Sequence, residues 1–108
     1  VSEQVTQADH GKTFEIQTGD ELTVQLSENP TTGYRWGIDQ AGEPVLALQH
    51  DDFSLPQEPL IGQGGQRVLT WVAQQPGQTQ IRLKLWREWA GDASTVERFQ
   101  IEIVVTDP

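Results

Sequence analysis

Apolar and polar residues alternate with a period of two along most of this chain, the signature of strands that bury one face. Phe14 and Ile16 alternate with Thr13 and Glu15, and Leu22, Val24 and Leu26 alternate with Glu21, Thr23, Gln25 and Ser27. These are two strands joined at Thr18-Gly19-Asp20. Tyr34, Trp36 and Ile38 predict a third strand, and Val45 to Gln49 with Phe53 to Leu55 a broken fourth. Within Gln66 to Ala73, Val68, Thr70 and Val72 share one face and Leu69, Trp71 and Ala73 the other, so both faces are expected to be covered. Ile81, Leu83 and Leu85 alternate with Arg82 and Lys84, and Phe99, Ile101, Ile103 and Val105 alternate with polar neighbours. Residues 1–12 show no period, and a loose N-terminal arm or a short edge strand is expected there.

Apolar residues nowhere recur at helical spacing over three turns, and turn residues punctuate the chain at intervals that suit short strands. The fold class is therefore all-β: an immunoglobulin-like antiparallel β-sandwich of about seven strands. It has no disulfide, because the chain has no cysteine, and a buried tryptophan, Trp36 or Trp71, must supply the inter-sheet packing instead. If each strand reverses direction, successive connections alternate between the two ends. Thr18-Gly19-Asp20, Gln40 to Pro44 and Gln74 to Gln78 then share one end and carry ordinary turn residues. Glu28 to Gly33, Pro56 to Gly65 and Trp86 to Asp92 share the other, with compositions that a plain turn does not require. Three unusual loops at one pole of a rigid scaffold predict a binding surface.

Composition narrows the partners. The 108 residues make a single domain spanning 1–108, and no stretch approaches the apolar run of about 20 residues that a membrane-spanning helix needs. Seven Lys and Arg against 16 Asp and Glu give a net charge of −9, which repels nucleic acid and anionic membranes. Absence of cysteine removes thiol catalysis and Cys-type metal sites. The two histidines, His10 and His50, have no supporting motif. His50, Asp51 and Asp52 would alternate faces on a strand and read as a solvated acidic turn, not a metal site. No nucleophile elbow or zinc-protease segment is present, so no enzyme, metal or cofactor is expected. Val1 in place of an initiator methionine suggests either a processed leader or a trimmed chain; an exported protein, periplasmic or extracellular, and a monomer are expected.

The loops hold the chemistry. In Asn29-Pro30-Thr31-Thr32-Gly33-Tyr34, an Asx turn at Asn29, the fixed φ of Pro30 and a positive φ at Gly33 would hold both threonines out on a stiff arch. Gly62-Gln63-Gly64-Gly65 lacks the ending of a phosphate loop and precedes a strand; its bare backbone would admit another chain. Arg87 and Trp89 would share a face if their strand continues, with Trp86 opposite them in the core, and an exposed Trp beside Arg is the composition of binding hot spots.

These three motifs, in this order, resemble the chagasin-like inhibitors of cysteine peptidases over roughly Thr13 to Val105. The resemblance implies an immunoglobulin-like sandwich that reversibly and competitively occludes the cleft of a papain-like (clan CA) peptidase, cathepsin L-type or similar, without a covalent bond or cofactor. It implies that Asn29 to Tyr34 enter the cleft with Thr31 and Thr32 nearest the catalytic cysteine and histidine. Gly62, Gln63, Gly64 and Gly65 would lie along the cleft through backbone contacts, and Arg87 and Trp89 would grip its opposite wall. The family's third motif usually reads Arg-Pro-Trp or Arg-Pro-Phe, whereas Glu88 stands in the middle here and proline's stiffening is lost. The competing readings are an exported carbohydrate- or surface-binding module that stacks sugars on Trp89 and Tyr34, and a spacer domain that binds nothing.

Overall fold

The computed structural model describes residues 2–29, 32–54 and 64–107. Among them the strands are β1 (Ser2–Thr6), β2 (Thr13–Gln17), β3 (Glu21–Glu28), β4 (Arg35–Gln40), β5 (Leu46–Ser54), β6 (Gly65–Ala73), β7 (Gly77–Trp86) and β8 (Glu97–Thr106). They form two four-stranded sheets, ordered β1-β3-β6-β5 and β2-β8-β7-β4. Short 3₁₀ turns occupy Gln7–Asp9, Glu88–Ala90 and Asp92–Ser94.

The sandwich is as expected, with two differences. Both sheets are mixed, since β1 runs parallel to β3 and β2 parallel to β8. The chain also has an eighth strand, because the N-terminal segment takes the form of an edge strand and not of a loose arm. Val5 explains it: with no exposed surface, this single apolar residue packs into the core and pins β1 along β3. Gln7 then ties the crossing between the sheets, accepting from the Ser27 N–H (3.0 Å) and donating through Nε2 to Glu97 (2.9 Å). The strand across residues 46–54 is continuous where a break was expected, and a register shift between Leu48 and His50 absorbs the irregularity. His50, Asp51 and Asp52 accordingly lie on β5 and not in a turn.

Alternation builds the core. Leu22, Val24, Leu26, Leu46, Leu69 and Trp71 of the first sheet face Ile81, Leu83, Phe99, Ile101 and Ile103 of the second. Both candidate tryptophans are buried, Trp71 completely and Trp36 at 7% exposure. Trp86 is not in this core. It ends β7 on the outer face, where its indole covers Gly37 and the Lys84 ammonium sits 3.9 Å from the ring centroid.

One charged residue continues the inward series of β3. Glu28 is 4% exposed, and its carboxylate accepts from Arg67 Nη2 (2.7 Å), Arg67 Nε (3.3 Å) and the backbone N–H of Trp36 (2.8 Å). Arg67 also reaches Asp51 (3.2 Å). Burial alone would lower the Arg67 pKa, but the hydrogen bonds and charge of Glu28, aided by Asp51, outweigh it and hold the guanidinium above its ordinary value. The indole Nε1–H of Trp36 donates to the Ser27 carbonyl (2.9 Å), so β4 of one sheet hangs from β3 of the other at the point where their connecting loop departs.

Removing one member of such a buried pair strands the other. Glu28→Gln is expected to lower the unfolding free energy by about 3 kcal/mol, the low end of the range for broken buried pairs because Arg67 keeps Asp51. Urea unfolding at neutral pH measures this, and adding Arg67→Gln should cost less than the two single losses summed.

Candidate functional site

The connections sort into two poles. At one, the Gly19 N–H donates to the Ala73 carbonyl (2.9 Å), Ala73 to Asp20 (3.0 Å), Gln74 to Val45 (2.9 Å) and Leu46 to Gly42 (3.0 Å). This stitches the three ordinary turns together. At the other pole lie the three unusual loops. Of the residues singled out in them, Pro30, Thr31, Gly62 and Gln63 lie outside the described residues.

The first loop closes on itself. Thr32 donates to the Asn29 carbonyl from both its N–H (3.2 Å) and its hydroxyl (2.8 Å), and the Tyr34 N–H approaches the same hydroxyl at 3.3 Å. Gly33 adopts φ +80°, as the arch requires. The Thr32 hydroxyl is therefore committed to the loop's own backbone.

The third loop supports the first from one side. β7 stops at Trp86, so Arg87 and Trp89 do not share a strand face; a 3₁₀ turn at Glu88–Ala90 directs both toward the first loop instead. Arg87 donates from Nε (3.3 Å) and Nη2 (3.0 Å) to the Thr32 carbonyl, and its guanidinium carbon lies 4.4 Å from the Tyr34 ring centroid. The far edge of the Trp89 indole lies over Gly33, where a Cβ would come within 2.7 Å of it, while 74% of Trp89 remains exposed. Behind them Arg87 N–H donates to the Ser94 hydroxyl (2.9 Å), which bonds the Gly91 carbonyl (2.6 Å), and Val96 N–H closes the loop on Leu85 (2.9 Å).

Lys84 anchors the outer side of this loop through Asp92 and Asp39. Hydrogen bonds to the two aspartates raise the Lys84 pKa, and the Lys84 hydrogen bond, then its charge, holds the Asp92 carboxyl below its ordinary value.

The described end of the second loop, Gly64 and Gly65, flanks the first on the opposite side. A Cβ on Gly64 would lie 3.1 Å from both Asn29 Cβ and the Glu28 carbonyl, and one on Gly65 would collide with the Ser54 carbonyl at 2.2 Å. These two glycines serve close packing within the chain, against the first loop and β5. Between the first and second loops opens a depression of about 410 Å³ lined by Ser27, Glu28, Asn29, Thr32, Tyr34, Gly64, Gly65 and Leu85. The described members of the three motifs thus meet, with the first loop in the middle.

Among the described residues the arrangement is a braced surface with the large aromatic side chain of Trp89 exposed. No group of acidic and histidine side chains suited to a metal occurs among the described residues. Sequence reading missed Glu28 and Arg67 as the foundation of the first loop, although the β3 alternation, carried one step past Leu26, places Glu28 inward.

Comparison with known proteins matches residues 15–103 to the family described as "Chagasin family peptidase inhibitor I42". Chagasin of Trypanosoma cruzi is 28% identical over 105 residues, 94% of this chain and 96% of its own. Among solved structures, a cysteine protease inhibitor of Entamoeba histolytica, EhICP2, superposes with a TM-score of 0.88 at 23% identity over 97% of this chain and 96% of its own. The solution structure of Amebosin gives 0.80 at 27% identity over 98% and 99%.

Gly33→Ala forces both a positive φ on a residue with a Cβ and a clash with Trp89, and is expected to destabilise the domain by about 1–2 kcal/mol while shifting the Trp89 indole N–H resonance. Asp92 is the second test. Because its native pKa is depressed, its contribution is complete above the ordinary aspartate value and is lost only as pH falls through the lower, native value. Lys84→Met should return the Asp92 carboxyl to the ordinary range in an NMR titration, narrowing the acid stability of the domain.

Proposed function

Because the chain belongs to the chagasin family of peptidase inhibitors, we propose that it is a reversible, competitive inhibitor of papain-like cysteine peptidases, inserting the Asn29–Tyr34 loop into the substrate cleft between flanking contacts from residues 62–65 and Trp89. Beyond the family itself, one observation carries this reading: the described parts of the first loop are held from both sides before any partner arrives, Thr32 and Gly33 by Arg87 and Trp89 on one flank and Asn29 by Gly64 on the other. A loop already ordered loses little conformational entropy on binding. The same order supplies resistance to cleavage, since a substrate must move its carbonyl into near-attack geometry and a braced arch cannot follow the nucleophile. No group on the inhibitor needs to react, and the cysteine and histidine of the target supply all the chemistry there is to block.

The Arg87 guanidinium already lies over one face of the Tyr34 ring, which leaves the carbohydrate-binding alternative less of one of its two platforms. Trp89 remains, exposed and rigidly backed, as an anchor for an aromatic or apolar wall.

Titration of papain with the purified domain is expected to remove activity stoichiometrically, with substrate competing. Trp89→Ala should raise the inhibition constant roughly 30-fold, the scale of a hot-spot truncation, with an unchanged urea midpoint, and Thr32→Ala, which removes the hydroxyl that closes the first loop, should raise it less while the domain stays folded. Full papain activity at a large molar excess of the domain would defeat the reading.

A further inference from the structure

The pair Arg87-x-Trp89 divides into two kinds of residue. Trp89 is 74% exposed and has a free face. Arg87 is half-buried, and its guanidinium is already engaged within the chain: Nε and Nη2 converge on the Thr32 carbonyl at 3.3 and 3.0 Å, and one face of the group rests on Tyr34 at 4.4 Å. Its backbone is fixed as well, through the Ser94 hydroxyl and the Ala90 N–H. In a chain with 16 acidic residues against seven basic ones, no carboxylate among the described residues pairs with this cation. A charged group spent on a neutral carbonyl and an aromatic ring is placed for geometry, not for charge neutralisation.

We propose that Arg87 is a positioning residue for inhibition: it acts by holding the Thr32–Tyr34 arm of the first loop in its cleft-entering shape, and does not grip the peptidase. This rests on the inhibitor reading and specifies the work of one residue within it. The donors aimed at the Thr32 carbonyl and the face resting on Tyr34 are committed to the loop, and a target that drew them away would release the loop that inhibition depends on. The planar fork is what the task requires. It can point two donors at one carbonyl while lying flat on a ring, whereas a lysine ammonium is a point charge on a flexible stem and can do one or the other.

Three measurements separate holding from gripping. In the free domain, Arg87→Met should accelerate amide exchange at Thr32, Gly33 and Tyr34 about tenfold, the scale of one charge-assisted hydrogen bond, while Trp89→Ala leaves those amides closer to their original rates. Against papain, Arg87→Met should weaken inhibition by a similar factor, and Arg87→Lys, which keeps the charge, should fail to rescue it. In a Pro30→Gly/Thr31→Gly/Thr32→Gly background, where the loop no longer has a shape to hold, adding Arg87→Met should change the inhibition constant less than about twofold. Unchanged exchange, full rescue by lysine, or an equal loss in both backgrounds would each overturn the proposal and make Arg87 a direct contact. These outcomes are distinct from failure of the inhibitor reading, which shows as uninhibited papain with the unmodified chain; the exchange arm is read without any peptidase.

Discussion

A carboxylate inside a sandwich core has to be satisfied completely or it destabilises everything around it, and the Glu28 carboxylate is satisfied by groups from both sheets. Arg67 neutralises it from the neighbouring strand of its own sheet, and the backbone N–H of Trp36 approaches it from the other. Because Glu28 ends β3 and Trp36 lies at the start of β4, the bond fixes the two feet of the connecting loop relative to one another. Antibody domains draw their sheets together with a disulfide across the middle of the sandwich. This chain has no cysteine, and places a polar tie at the functional pole, with the Trp36 indole bonded to Ser27 as a second strut. The tie is directional where a purely apolar contact is not: it specifies which backbone atoms meet, and so sets the geometry of the loop above it.

From that foundation order passes outward through backbone groups more than through side-chain packing. The Asn29 carbonyl collects both donors of Thr32, the Thr32 carbonyl collects Arg87, and Gly64 lies against the Asn29 backbone. Each contact uses main-chain atoms of the first loop, which leaves the outer face of Trp89 exposed. The same economy explains the glycines. Gly33 has a positive φ and the indole above it, and Gly65 has the Ser54 carbonyl against it, so a side chain is excluded by contacts within the chain before any target is considered.

How much of this was visible in the residue order follows from which forces are local. Strand positions and the core were legible because burial of one face imposes a period of two that any reader can count, and the two poles followed from the reversal of successive strands. The parallel edge pairings were not, since a segment as polar as residues 2–6 is recruited by the burial of Val5 alone, and one apolar residue makes no period. Trp86 was misjudged for a related reason: its hydrophobicity suggested the core, but alternation from Leu83 and Leu85 assigns it outward, where Gly37 and Lys84 give it a surface to cover. Glu28 was legible in principle by the same alternation. What could not be read is the partner that makes its burial tolerable, because the register that sets Arg67 within reach belongs to a strand nearly forty residues later.

Glu88 shows how a departure from a family pattern can be accommodated. Proline at this place would preset φ and forgo an N–H, both of which suit the first position of a helical turn. The chain has instead a 3₁₀ turn that begins at Glu88, closed by Ala90 N–H on the Arg87 carbonyl (3.0 Å) and Gly91 N–H on the Glu88 carbonyl (3.3 Å). An acidic side chain in the first turn also suits the exposed N–H groups there. The Ser94 hydroxyl then clamps the Arg87 backbone from behind, and Lys84 holds Asp92 on the outer side. The stiffness that proline would build into one covalent ring is distributed here over several hydrogen bonds, which keep Arg87 and Trp89 aimed at the first loop while adding a negative charge between them.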